Sequence, residues 1–211
     1  MKTILLTGFE PFGGETVNPS GEIARALDGR VVGKRRVVGA VLPCVFGAAN
    51  VELRQLVRAV RPELVICLGQ AGGRAEITPE RVAINVDDAR LPDNAGAQPV
   101  DAAITTRGPA AYWSTLPIKA IVAALRAHGI PAAVSQTAGT FVCNHVFYGL
   151  MQTLRRRRGV RGGFIHLPFL PEQTTTQPSL PRATMTRGVT LAIETALNVR
   201  RDVRQTGGQT H

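Results

Sequence analysis

The sequence predicts an α/β fold, a three-layer α/β/α sandwich around a mostly parallel central sheet. Three observations carry the expectation. Short apolar runs bounded by turn residues recur along the chain, and segments with apolar residues at helical spacing lie between them. The runs are apolar throughout rather than alternating, which is the pattern of strands covered on both faces.

Taken in order, Lys2 to Thr7 reads as a buried strand that ends at Gly8, before a loop rich in Gly, Pro and Phe. Asn18 is placed to cap a helix, with Pro19 at the first helical position, where its missing N–H costs nothing. Ile23, Ala24 and Leu27 give that helix its inward face, and Gly29 ends it. Val37 to Leu42 is the second strand. Ala49, Leu53, Leu56, Val57 and Val60 mark a helix that Pro62 stops before the apolar strand Leu64 to Leu68. From Gly69 to Pro117 the pattern is less regular, with long loops, a short strand over Arg81 to Val86 and a hairpin expected. Alternation returns with helix Ile118 to His128, strand Ala132 to Gln136, helix Asn144 to Arg156, strand Gly163 to Leu167 and helix Met185 to Val199. Residues 1–200 form a single expected domain, and residues 201–211 a disordered tail.

Composition narrows the class. No run of about 18 apolar residues exists to cross a membrane, and the apolar stretch at the start is too short for a secretion signal, so a cytoplasmic protein is expected. Three widely separated cysteines make neither a disulfide framework nor a zinc site, and no metal or organic cofactor is implied. The formal charge of +10 is the unusual bulk property. It gathers in Lys34 to Arg36, in Arg155 to Arg158 with Arg161, and in Arg200, Arg201 and Arg204. These clusters fall at element edges, where charged side chains are usually solvated, and no nucleic-acid recognition motif accompanies them.

In open α/β sheets, ligands bind beyond the carboxyl ends of the strands. Four segments follow such ends: Gly8 to Gly14, Gly69 to Gly73, Thr137 to His145, and His166 to Pro168. Cys143 follows a glycine-containing turn and opens a helix, where unpaired N–H groups and the helix dipole favour a thiolate. Cys67 lies inside an apolar strand, and Cys44 has no acid or base beside it in sequence. A cysteine nucleophile needs a base. His145 is two residues along the same helix and points away from Cys143, His128 reads as a helix C-cap, and His211 is in the tail. His166, at a strand end on the ligand edge, is the geometric choice. For the group that orients the imidazole, spacing leaves Glu10, Glu80, Asp87, Asp88 and Asp93 open. The glycine segments lack the Walker lysine and serine and the dinucleotide spacing.

At these residues the sequence resembles the pyroglutamyl peptidase type I family, also called pyrrolidone carboxyl peptidases. The resemblance runs from about Lys2 to Val199. It rests on Gly8-Phe9-Glu10-Pro11-Phe12-Gly13-Gly14 with Asn18-Pro19-Ser20, on Gly69 to Arg74, Glu80 to Asn85, Asp88 to Arg90 with Pro92 to Asn94, on Tyr112 to Pro117, Ser135 to Tyr148, and Gly162 to His166 with Pro168. It implies a phosphorylase/hydrolase-like sandwich and a cytosolic cysteine peptidase that removes an N-terminal pyroglutamyl residue from peptides. It further implies Cys143 as nucleophile, His166 as base and Glu80 as the orienting acid. The substrate-binding residues it implies are Phe9, Phe12, Gln70, Phe141 and Val142, with Arg90 near the reacting carbonyl, and the assembly it implies is a homotetramer. Two rival classes remain for test: an anion-dependent nucleoside phosphorylase or hydrolase, and a basic nucleic-acid-binding protein.

Overall fold

Four parallel strands bring the candidate residues to one edge of a sheet. They are β1 (Thr3–Phe9), β3 (Arg35–Leu42), β4 (Leu64–Gln70) and β8 (Arg161–Leu167). Two short antiparallel strands flank them, β2 (Val31–Val32) on β3 and β5 (Thr78–Pro79) on β8, giving the order β2-β3-β1-β4-β8-β5. The structure is a computed structural model that describes residues 1–208; the end of the expected tail, with His211, lies outside the described residues.

The period of two along each strand sorts its side chains between two cores. Ile4, Leu6, Ile66, Leu68, Ile165 and Leu167 face one side, where they meet α1 (Pro19–Leu27), α3 (Ile118–Ala127) and α5 (Arg182–Asn198). Leu5, Phe9, Val65, Cys67 and Phe164 face the other, where α2 (Ala48–Val60) and α4 (Val142–Leu154) cover them. Helices thus lie on both faces of a mostly parallel sheet, which explains why the central strands are apolar throughout.

The sequence reading of α1 holds in detail. Asn18 is the N-cap, its Oδ1 accepting from the Ser20 N–H at 3.1 Å, and Pro19 opens the helix. The Ser20 hydroxyl donates to the same oxygen and accepts from the Phe9 N–H at 3.0 Å, while Asn18 Nδ2 donates to the Glu10 carbonyl. The cap, a device worth about 1 kcal/mol, therefore also fixes the turn that leaves β1. His128 caps α3 as expected, with Nδ1 donating to the Ala124 carbonyl at 2.8 Å.

One predicted strand is corrected. Residues 132–136 make only two isolated parallel bridges, Ile77 with Ala132 and Glu80 with Ser135. Continuing that ladder requires the residue at 79 to donate to Ala133, and Pro79 has no N–H to give. The irregular middle holds a second, two-stranded sheet, in which β6 (Val82–Ile84) pairs antiparallel with β7 (Ala111–Trp113). Among the described residues no helix is long and apolar enough to cross a membrane. Residues 201–208 carry no helix or strand, yet they make specific contacts. Asp202 accepts from the N–H groups of Lys119 and Ala120 at the start of α3, and the Gly207 carbonyl accepts from Arg81 and Gln136.

Candidate active site

β8 carries His166 one residue from its end, on the α2/α4 side of the sheet, with its ring centroid 4.8 Å from that of Phe164. In the register of β4 and β8, His166 lies opposite Gly69. A Cβ on Gly69 would sit 2.8 Å from Cys143 Sγ and 2.7 Å from the Phe164 ring, so glycine is what lets the sulfur rest against the end of β4. Cys143 thus reaches the sheet edge beside His166 from the first turn of α4. Thr78 of β5 is the partner of His166 on its other side, and two residues on, the Glu80 N–H donates to the Phe164 carbonyl. Glu80 Oε1 then accepts from His166 Nδ1 at 2.7 Å, with both groups buried. The structure brings Cys143, His166 and Glu80 together from positions far apart in the chain.

A residue that sequence reasoning did not assign completes this arrangement. Arg74 Nη1 donates to the same Glu80 oxygen at 2.7 Å and to the Thr78 hydroxyl, and Nη2 donates to the Thr137 carbonyl at 3.0 Å. Burial pushes the Glu80 carboxyl up, but the hydrogen bond and charge of His166, together with the charge of Arg74, outweigh it. The group stays below its usual range and is ionised. For Cys143 the balance runs the other way. Burial, with Cys44 and Glu80, pushes its thiol well above the ordinary value, against a smaller pull from Arg74. Burial is the dominant cause, and it opposes the pull toward a thiolate that the helix start and its dipole exert.

The α4 N-terminus has no side-chain cap, and among the described residues the N–H groups of Val142, Cys143 and Asn144 have no acceptor. Asn144, fully buried, fastens this turn in place. Its Oδ1 accepts from the Ile84 N–H at 3.0 Å, and its Nδ2 donates to the carbonyls of Ile84 and Val86. Asn144→Leu should cost about 2 kcal/mol, because it leaves three part-buried backbone groups of this contact without their partner. Urea unfolding measures the loss, and a change under about 0.5 kcal/mol would show that Asn144 does not anchor the turn. His145 points away from Cys143, as the helical spacing requires. Its Nδ1 donates to Asp87 Oδ2 at 2.8 Å and its Nε2 accepts from the Gly47 N–H, tying α4 to the turn before α2.

The expected substrate residues divide. Phe12 and Phe141 meet at 5.8 Å, and Phe46, which sequence reasoning did not name, stands edge-on to Phe141 at 5.4 Å. Phe9 is 2 % exposed and lies behind them, 6.4 Å from Phe164, and Val142 is fully buried at the start of α4. The Gln70 side chain accepts from Gln173 Nε2 at 2.9 Å. Arg90 is exposed, on a loop held to the α4 approach by hydrogen bonds in both directions between Asp88 and Thr140. No three His, Cys, Asp or Glu side chains cluster as a metal site among the described residues.

Residues 2–199 match the family model of pyroglutamyl peptidase. The chain belongs to the pyroglutamyl peptidase family. Pyroglutamyl peptidases are cysteine-type peptidases, and the curated members include close relatives of this chain. It is 62% identical to the pyrrolidone-carboxylate peptidase of Cupriavidus necator over 216 residues, covering all of both chains. The crystal structure of pyroglutamyl peptidase I from Bacillus amyloliquefaciens superposes with a TM-score of 0.95 at 51% identity, over 97% of this chain and 99% of that one. The pyrrolidone carboxyl peptidase from Thermococcus litoralis gives a TM-score of 0.95 at 38% identity, over 98% and 100%. The nucleoside phosphorylase and nucleic-acid readings find no support among these pyroglutamyl peptidase relatives.

Proposed function

We propose that this protein hydrolyses the bond after an N-terminal pyroglutamyl residue of peptides, with Cys143 as nucleophile, His166 as acid and base, and Glu80 as the group that orients His166. The observation that carries this reading is the His166–Glu80 hydrogen bond beside a cysteine seated on Gly69 at a helix start. Cys143 gives its proton to the free His166 nitrogen, and the sulfur attacks the pyroglutamyl carbonyl. The N–H groups of the first turn of α4 hold the developing oxyanion in a region of positive helix dipole. The imidazolium, steadied by Glu80, protonates the departing amine. Water, activated by the same imidazole, then cleaves the thioester and restores the thiol.

Specificity follows from the shape and polarity of the acyl group transferred to the cysteine. A flat, uncharged lactam suits the walls formed by Phe12 and Phe141, with Phe9 and Val142 backing them. Since the Gln70 side chain is engaged by Gln173, backbone groups at Gln70 and the β1 loop are the partners for the lactam N–H and carbonyl, and Arg90, on the loop tied to the approach of α4, is the residue to reach the scissile carbonyl. The enzyme acts as one domain over residues 1–200, needs no cofactor, works in the cytoplasm and assembles as a homotetramer.

The test is release of a chromogenic amine from a pyroglutamyl amide and from the matching prolyl amide under reducing conditions. A prolyl group lacks the ring carbonyl and leaves a buried donor unpaired, so kcat/KM should fall by about 10⁴-fold. Equal cleavage of the two amides would sink the proposed pocket, and no cleavage of either would sink the proposed activity.

A further inference from the structure

At the far end of α4 from Cys143, about 17 Å along the helix, lies a surface of one sign. A cavity of about 650 Å³ is lined by Arg54, Arg58, Arg107, Arg155, Arg156 and Arg157, and by no aspartate or glutamate. A second, of about 470 Å³, shares Arg58 and Arg157 with it and adds Arg61 and Arg158, again with no acidic residue. The two thus adjoin at these shared arginines and together make a basic groove between the carboxyl ends of α2 and α4 and the loop that carries Arg107. Among the described residues none of these eight arginines makes an ion pair, whereas Arg25, Arg35, Arg74, Arg126 and Arg182 elsewhere each do. Eight of the ten surplus positive charges of the chain sit here, so the rest of the molecule is close to neutral.

Two further facts separate this groove from an ordinary solvated face. The ends of α2 and α4 carry only about half a negative charge each, which leaves most of the positive charge uncompensated. Arg61 and Arg107 also adopt left-handed backbone conformations, with φ of +49° and +63°, where glycine or asparagine is at home. Arginine at both positions is a strained choice that supplies two of the eight cations of the groove.

We propose that this groove binds a linear chain of phosphates, specifically inorganic polyphosphate. Forked guanidinium donors match phosphate oxygens two at a time, and a run of closely spaced anions suits two cavities joined through Arg58 and Arg157 better than one small anion does. A nucleic acid shares the phosphate chemistry, but the groove offers its bases nothing to stack on. Its one aromatic residue, Tyr112, is packed against Tyr148 at 4.8 Å, and its hydroxyl accepts from Arg155. The site is separate from the catalytic edge and does not depend on the activity proposed above.

The experiment is titration of the full chain at about physiological salt with inorganic polyphosphate, orthophosphate and single-stranded poly(U) RNA. Polyphosphate should bind more tightly than either, with an affinity that falls steeply as salt rises. The double variant Arg58→Ser/Arg157→Ser should lose at least about tenfold in that affinity with its peptidase activity unchanged. Arg107→Gly gives a second readout, since relief of the left-handed φ should raise Tm while binding weakens. Binding unaltered in these variants, tighter binding of RNA, or equal binding of orthophosphate would each overturn the proposal.

Discussion

Cys143→Ser should fold normally and lose on the order of 10⁴-fold or more in kcat/KM toward a pyroglutamyl amide. The side chain is half-buried and makes no hydrogen bond that the fold depends on, so the substitution is conservative for structure. For chemistry it is not, because a hydroxyl gives up its proton to His166 far less readily than a thiol and attacks a carbonyl more weakly. No other cysteine can substitute. Cys44 is 3 % exposed and Cys67 fully buried, so neither sulfur is within reach of a reagent, whereas Cys143 is half-buried. Iodoacetamide should therefore label the wild type at one thiol and leave the folded variant unlabelled. A variant that keeps more than about 1 % of wild-type activity would remove Cys143 from the role of nucleophile.

Glu80→Gln should lower kcat by about 10³- to 10⁴-fold. The amide fills the same volume, and its oxygen can still accept from His166 Nδ1. It carries no charge, however, to steady the imidazolium or to answer Arg74, whose guanidinium shares that oxygen. If the amide flips, its NH₂ opposes two donors. The sign of the pH effect follows from the depressed carboxyl of Glu80. Its contribution to stability is fully present above the usual carboxylate range and is lost as pH falls through its lower value in the folded state. Acid unfolding of the variant should lack that component, with the difference between the two proteins shrinking as pH drops. Retention of kcat within about tenfold would show that Glu80 does not orient His166.

The regular elements were legible because each shows its own period. The capped start of α1 and the apolar strands β1, β4 and β8 fall close to where the spacing puts them. The segment 132–136 misled because its regularity depends on a partner some 50 residues earlier, where Pro79 lacks the donor a ladder needs. β2, β5 and β7 are two or three residues long, too short for any period to register. Cys143 and His166 could be singled out from a helix start and a strand end. Glu80 could not be separated from four other carboxylates by spacing, and only the family resemblance selected it. Arg74 was available at the end of the glycine segment after β4, but its bond to Glu80 depends on the course of the loop between them. The Asp87–His145 pair is equally a product of loop placement.

The contact between His166 and Glu80 spans 86 residues, and β8 is the last strand of the sheet to be made. A chain emerging from the ribosome thus carries its cysteine and its acid well before the strand that supplies the base. Contacts of such long range form late, after loop closure has been accomplished. If His166 is the base, as proposed, the nascent chain should be silent toward peptides until residues 161–167 dock, and a fragment ending before them should show no partial activity. On those roles, a cell that makes this protein gets a peptidase that switches on only once its sheet is complete.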